Sequence, residues 1–201
     1  MAGWIPPEEE VAVALGAARQ LVTDAIADDT LAELVGRMFA NTSRQAAIAQ
    51  WLSTHRIELT FGWPRAEQTL PGWAVVLLSG QNVMQYVGDA GDEDSAERWQ
   101  NGIGIVSRDE NADVVRWLHQ LAKFALSRSR ASLADHFPYR QQLSEQDLKP
   151  EDLQGEQGGR TIFARLLTLT IEYDQTDAGA AVDWVDPELT GEVILPDVNA
   201  L

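Results

Sequence analysis

No cysteine occurs anywhere in the 201 residues. That absence excludes disulfides, thiolate zinc sites, iron–sulfur clusters and a cysteine nucleophile, and it fits a chain that matures in the cytosol. Basic residues are scarce, 15 Lys and Arg against 31 Asp and Glu, for a formal net charge of -16. Gripping a nucleic-acid backbone needs clustered Lys and Arg, and so does docking on an anionic membrane surface, so neither is expected. Long apolar runs are missing too. None approaches the ~20 residues of a spanning helix, and Met1 to Pro7 lacks the basic and apolar regions of a secretory signal. A soluble protein with no membrane association is expected.

Catalytic signatures are equally thin. His55, His119 and His136 stand far apart, and none lies in a His-Glu-x-x-His spacing. His119, on a predicted helix, reads as a partly exposed surface residue. There is no Gly-x-Ser-x-Gly elbow and no Walker phosphate loop. Gly102-Ile103-Gly104 lacks the third glycine and following helix of a dinucleotide site; it reads as a tight approach at the start of a strand. In the acidic stretch Asp89 to Glu97 a calcium loop begun at Asp92 places Asp94 at position 3 but Ala96 at 5 and Glu97 at 6, so the register fails. A solvated loop is expected there, with no metal, no cofactor and no enzymatic activity. A hydrolase or nuclease built on scattered carboxylates is the remaining enzymatic alternative.

What is present is a globular composition, 45% hydrophobic, long enough for one domain with a sizeable core. Pro6-Pro7 followed by Glu8, Glu9 and Glu10 starts a helix, with Val11, Leu15, Ala18, Val22 and Ile26 at helical spacing. Asp28-Asp29 ends it or caps the next. A second helix carries Leu31, Leu34, Val35 and Met38, and Asn41-Thr42-Ser43 caps a third holding Ile48, Trp51 and Leu52. From Ile57 the period changes: Ile57, Leu59 and Phe61 alternate with Glu58 and Thr60, a half-buried strand. The run Trp73 to Leu78, delivered by Leu70-Pro71-Gly72, predicts a strand buried on both faces. Ile103 to Val106 predicts a short strand. Asp109 or Asn111 opens a helix with Val114, Leu118, Leu121, Ala125 and Leu126 on one face, running to about Leu133. The stretch holding Leu143, Leu148 and Leu153 has no clean assignment. Arg160 to Tyr173 predicts a long strand, bent or bulged because apolar residues occupy both faces.

These elements predict an α/β (α+β) fold, a mixed, mainly antiparallel sheet of four to five strands covered by helices. Residues 1–175 form one domain, helical over 1–56 and sheet-plus-helix over 57–175, and 176–201 form an extended C-terminal arm. Seven tryptophans are many for this length. Trp51, Trp73 and Trp117 suit the core. Trp4, Trp63 and Trp184 lie in a turn or near the termini, where tryptophan serves as an interface anchor. The arm's apolar islands, Val182/Trp184/Val185 and Val193-Ile194-Leu195, suit pairing with a neighbour's exposed sheet edge.

The order Gly62-Trp63-Pro64, Leu70 to Leu78, Gly88-Asp89, Ile103 to Val106, the 114–133 helix and Thr161 to Tyr173 resembles the tail terminator (tail completion) proteins of contractile-tailed bacteriophages. The resemblance spans residues 57–175; the helical N-terminus and the tail after Asp174 are additions to the family's simplest form. It implies a virion structural protein of the tail or neck, assembled in the host bacterial cytoplasm as a ring, usually hexameric. Such a ring caps the tail tube and joins it to the head connector, with DNA passing through unbound. Implied partners are further copies of the chain, tail tube and sheath proteins, and head-connector or collar proteins. An acid-lined channel repels phosphate, and Asp89, Asp92, Glu93 and Asp94 are the first candidates to face it. Another neck role (collar or head-to-tail connector) and a bacterial adaptor that forms no ring are the alternatives.

Overall fold

The computed structural model describes residues 7–40, 42–64, 69–87, 96–136, 140–148 and 161–176. Helix α1 spans Pro7–Ala27 and opens, as expected, on proline and three glutamates. Its buried stripe is Val11, Ala14, Leu15, Ala18, Val22 and Ala25, a face set by the 3.6-residue period. The helix ends where Asp29 enters the left-handed region at φ 56. Helices α2 (Leu31–Met38) and α3 (Gln45–Thr54) follow. The cap expected at residues 41–43 is displaced: Arg44 holds the α3 cap position without a side-chain bond, and Thr42 Oγ1 instead accepts the Arg44 amide at 3.2 Å. Arg44 turns its guanidinium to Asp113, pinning the start of α3 to the first turn of the helix that spans Ala112–Arg128.

Among the described residues, five strands form one sheet in the order β1-β2-β3-β5-β4: β1 (Glu58–Phe61), β2 (Gly72–Val87), β3 (Ala96–Asp109), β4 (Arg140–Leu148) and β5 (Phe163–Thr176). Only the β1–β2 pair is parallel; the other three pairs are antiparallel. Between β3 and β4 lie α4 (Ala112–Arg128) and the short α5 (Arg130–His136). The mixed, mainly antiparallel α/β architecture expected of the chain is what it forms.

Strand alternation sorts the side chains onto two faces. Trp73, Val75, Ile103, Ile105, Leu167, Leu169 and Ile171 join the cores of α1 to α4. The opposite face carries a second, smaller apolar cluster of Ala74, Val76, Val106, Ala164 and Leu166. Gly104 sits mid-strand between them, where a Cβ would come 2.6 Å from Val76 Cγ2 and 2.8 Å from Leu166 Cδ1. The expected close approach is therefore real, but it belongs to the middle of β3. Trp73 is fully buried, and its indole Nε1 donates to the Leu118 carbonyl of α4 at 3.2 Å. Burying each such large side chain is worth about 1.5–3 kcal/mol.

Four expectations need correction. The strand begun at Trp73 is buried on both faces only as far as Val76; Leu77 is 51% exposed and the strand runs on to Val87. The strand expected at Ile103 to Val106 is fourteen residues long, because a polar segment from Ala96 pairs with β2 and β5. The predicted bulge lies in the β2–β3 pairing, with shifts at Leu77/Ser79, Asn82/Met84 and Met84/Val87, whereas β5 pairs with β3 without interruption. The helix opened by Asn111, whose side chain accepts the Asp113 amide at 2.9 Å, stops at Arg128, and a turn at Ser129 separates it from α5.

Candidate assembly surfaces

Among the described residues the sheet order leaves β1 and β4 at its two ends, and their chemistry differs. At the β1 edge, Phe61 is 54% exposed and Trp63 is 41% exposed. Register places Phe61 beside Val75, so alternation puts Leu77 on the same face two residues further along β2. Gly62 makes the bend that ends β1: its φ is +78, a conformation L side chains rarely adopt, and its amide donates to the Val75 carbonyl at 2.8 Å. The following Pro64 is buried while Trp63 projects outward. Of the sequence-predicted interface residues, Trp63 is the one within the described residues, and it is exposed at the end of β1. Trp4, Trp184, Val193, Ile194 and Leu195, and the acids Asp89, Asp92, Glu93 and Asp94, lie outside the described residues.

The β4 edge is polar. Gln142, Ser144, Glu145, Gln146 and Asp147 are exposed along it, with Leu143 the one exposed apolar side chain among them. Glu145 turns toward α4, where it pairs with Lys123, and lies 3.5 Å from Arg165 of β5. Arg165 Nε also lies 2.9 Å from Asp147. Beneath them His119 is only 2% exposed, its Nε2 3.1 Å from Glu145 Oε2. His119 is thus not the surface residue its helix position suggested: the unassigned stretch after His136 returns as β4 and lays Glu145 against it. Burial lowers the His119 pKa, the positive charges of Arg165 and Lys123 add to that, and Glu145 only partly opposes it. The hydrogen bond from Lys123 holds the Glu145 carboxyl below its usual range.

A third surface was not foreseen. An open groove of about 710 Å³ runs between α1 and the corner joining α3 to β1. Arg19, His55 and Arg56 line it with Thr23 and Ile26, and no carboxylate is among its described lining residues. His55 stacks on Trp51 with ring centroids 5.0 Å apart, and Trp51 meets Trp117 edge-on at 6.0 Å. Arg56 is 3.7 Å from Glu58. Arg19 and Arg56 are 37 residues apart, so no local pattern announces the pairing.

Among the described residues, no group of three or more His, Cys, Asp or Glu is placed to hold a metal ion, and no helix is long and apolar enough to cross a membrane. No protein-family model matches the chain, and no curated protein matches it. Among solved structures it is similar to a chain from the virion of a native gene transfer agent particle, with a TM-score of 0.30 and 12% identity, over 70% of this chain and 92% of that one.

Proposed function

We propose that this chain is a non-enzymatic virion structural protein, a phage tail terminator whose copies close into a ring, the hexamer usual for that family, in the virion tail or neck. The observation that carries the reading is the pair of unlike sheet edges. A ring closed by rotation needs two different, mutually complementary patches on each subunit. The β1 edge offers exposed Phe61 and Trp63, and the β4 edge offers a row of polar and charged side chains. Unpaired strand edges also invite partner strands. The resemblance of residues 57–175 to tail terminators supplies the remainder: the ring caps the tail tube, contacts sheath and head-connector or collar proteins, and passes DNA. The surplus of 16 negative charges suits a wall from which phosphate is repelled.

The test is direct imaging. Negative-stain class averages of the purified full chain, with light scattering across a concentration series, should show closed rings of a single subunit number. A monomer that stays monomeric at the highest soluble concentration, and also when tail tubes are added, would refute the reading. Retained rings that fail to halt tube growth would favour another neck role.

A further inference from the structure

We infer that the groove between α1 and the α3–β1 corner receives the acidic C-terminal segment around Val182 to Asp186 of a second copy. This deepens the ring reading, on which it rests, by naming one neighbour contact. In a chain of net charge -16, a groove lined by Arg19, His55 and Arg56, with no carboxylate among its described lining residues, is a concentration of basic side chains, with Glu58 3.7 Å from Arg56 and Asp109 within electrostatic range of His55 beside it. The sequence beyond Thr176 is the complement: Asp177, Asp183, Asp186, Glu188, Glu192 and Asp197 occur there with no Lys or Arg. Val182, Trp184 and Val185 alternate with those acids, and Ile26, 42% exposed, offers them an apolar wall.

Reach decides which copy supplies the segment. Arg56 and Ile57 immediately precede β1, whose Glu58 registers with Gly72, then Arg108, then Ala164. The groove therefore lies by the row where β5 begins. From Ala164 the strand runs to Thr176, twelve residue steps and about 40 Å away. From Thr176 to Trp184 is eight residues, which fully extended span no more than about 29 Å. A subunit's own Trp184 falls short of its own groove, so the segment is assigned to a second copy.

The absence of cysteine makes the test clean. Two full-chain variants of different tag mass, Thr23→Cys in the groove wall and Ala181→Cys in the segment, are mixed and treated with a short bismaleimide. The expected product is the mixed dimer, in excess over either self-dimer and over a control pairing of Ala181→Cys with Ser127→Cys on the far helix α4. Adding Arg19→Glu and Arg56→Glu to the groove variant should weaken capture about tenfold, since two exposed ion pairs become repulsions. Restoring the match with Asp183→Arg and Asp186→Arg on the other chain should recover it. Mixed-dimer yield equal to the control, or unaffected by charge reversal, overturns the assignment. Light scattering on the same samples reports the ring separately, so rings that persist without the cross-link sink the groove contact alone.

Discussion

Trp63 and Trp73 stand ten residues apart and separate assembly from folding. Trp63 is 41% exposed. Taking about 250 Å² for a full tryptophan, some 100 Å² is available to a neighbour, worth up to about 2.5 kcal/mol at ~25 cal/mol per Å², or about 70-fold in contact affinity. The bend that presents it is held by Gly62, by the Gly62-to-Val75 hydrogen bond and by buried Pro64, none of which needs the indole. Trp63→Ala should therefore leave the melting temperature within about 2 °C while shifting the assembly midpoint in sedimentation velocity by well over tenfold. Trp73→Phe should do the reverse. It loses the bond to Leu118 and leaves a void at a fully buried site. That costs about 2–3 kcal/mol and lowers the melting point by about 4–12 °C. An assembly midpoint moved less than about threefold by Trp63→Ala, with the fold intact, would refute the role given to the β1 edge.

Acid should weaken the fold through His119. Its folded pKa lies below the ordinary value near 6.5, so between the two the unfolded chain binds the extra proton and stability falls as pH drops below 6.5. Glu145, whose carboxyl is also held low, gives up its contribution only on further acidification, from about pH 4.5 downward. Urea midpoints at pH 7.5 and 5.5 should thus differ in the native chain and converge in His119→Gln; an unchanged difference would show that another group titrates. Gly62→Ala should destabilise by about 1–2 kcal/mol in urea melts. A Cβ there meets nothing within 4 Å, so the cost is the backbone's alone, and a neutral result would mean the turn relaxes. Asn111→Ala removes the cap on Asp113 and should cost about 1 kcal/mol, read in the same melts.

The helices were legible because their causes are local. Proline and glutamates at the start of α1, Asn111 at the cap of α4 and apolar residues three and four apart need no distant partner to be recognised. The buried half of the sheet was legible for a similar reason, since Trp73 to Val76 and Ile103 to Val106 are apolar enough to require an interior. The polar half of β3 and all of β4 were not. Glu97 to Asn101 and Gln141 to Asp147 carry no apolar alternation, and they are strands because β2 and β5 offer them backbone partners.

From the same cause follow the burial of His119, the union of Arg19 with Arg56 in one groove, and the contrast between the β1 and β4 edges. Side-chain pattern and charge by themselves determined an acidic α/β chain with an N-terminal helical layer and no recognisable catalytic motif. Which side chains meet, and which edges remain open, only the tertiary structure decided. Strand pairing joins residues far apart in the chain, and a hydrogen-bonded ladder is indifferent to the side chains it carries.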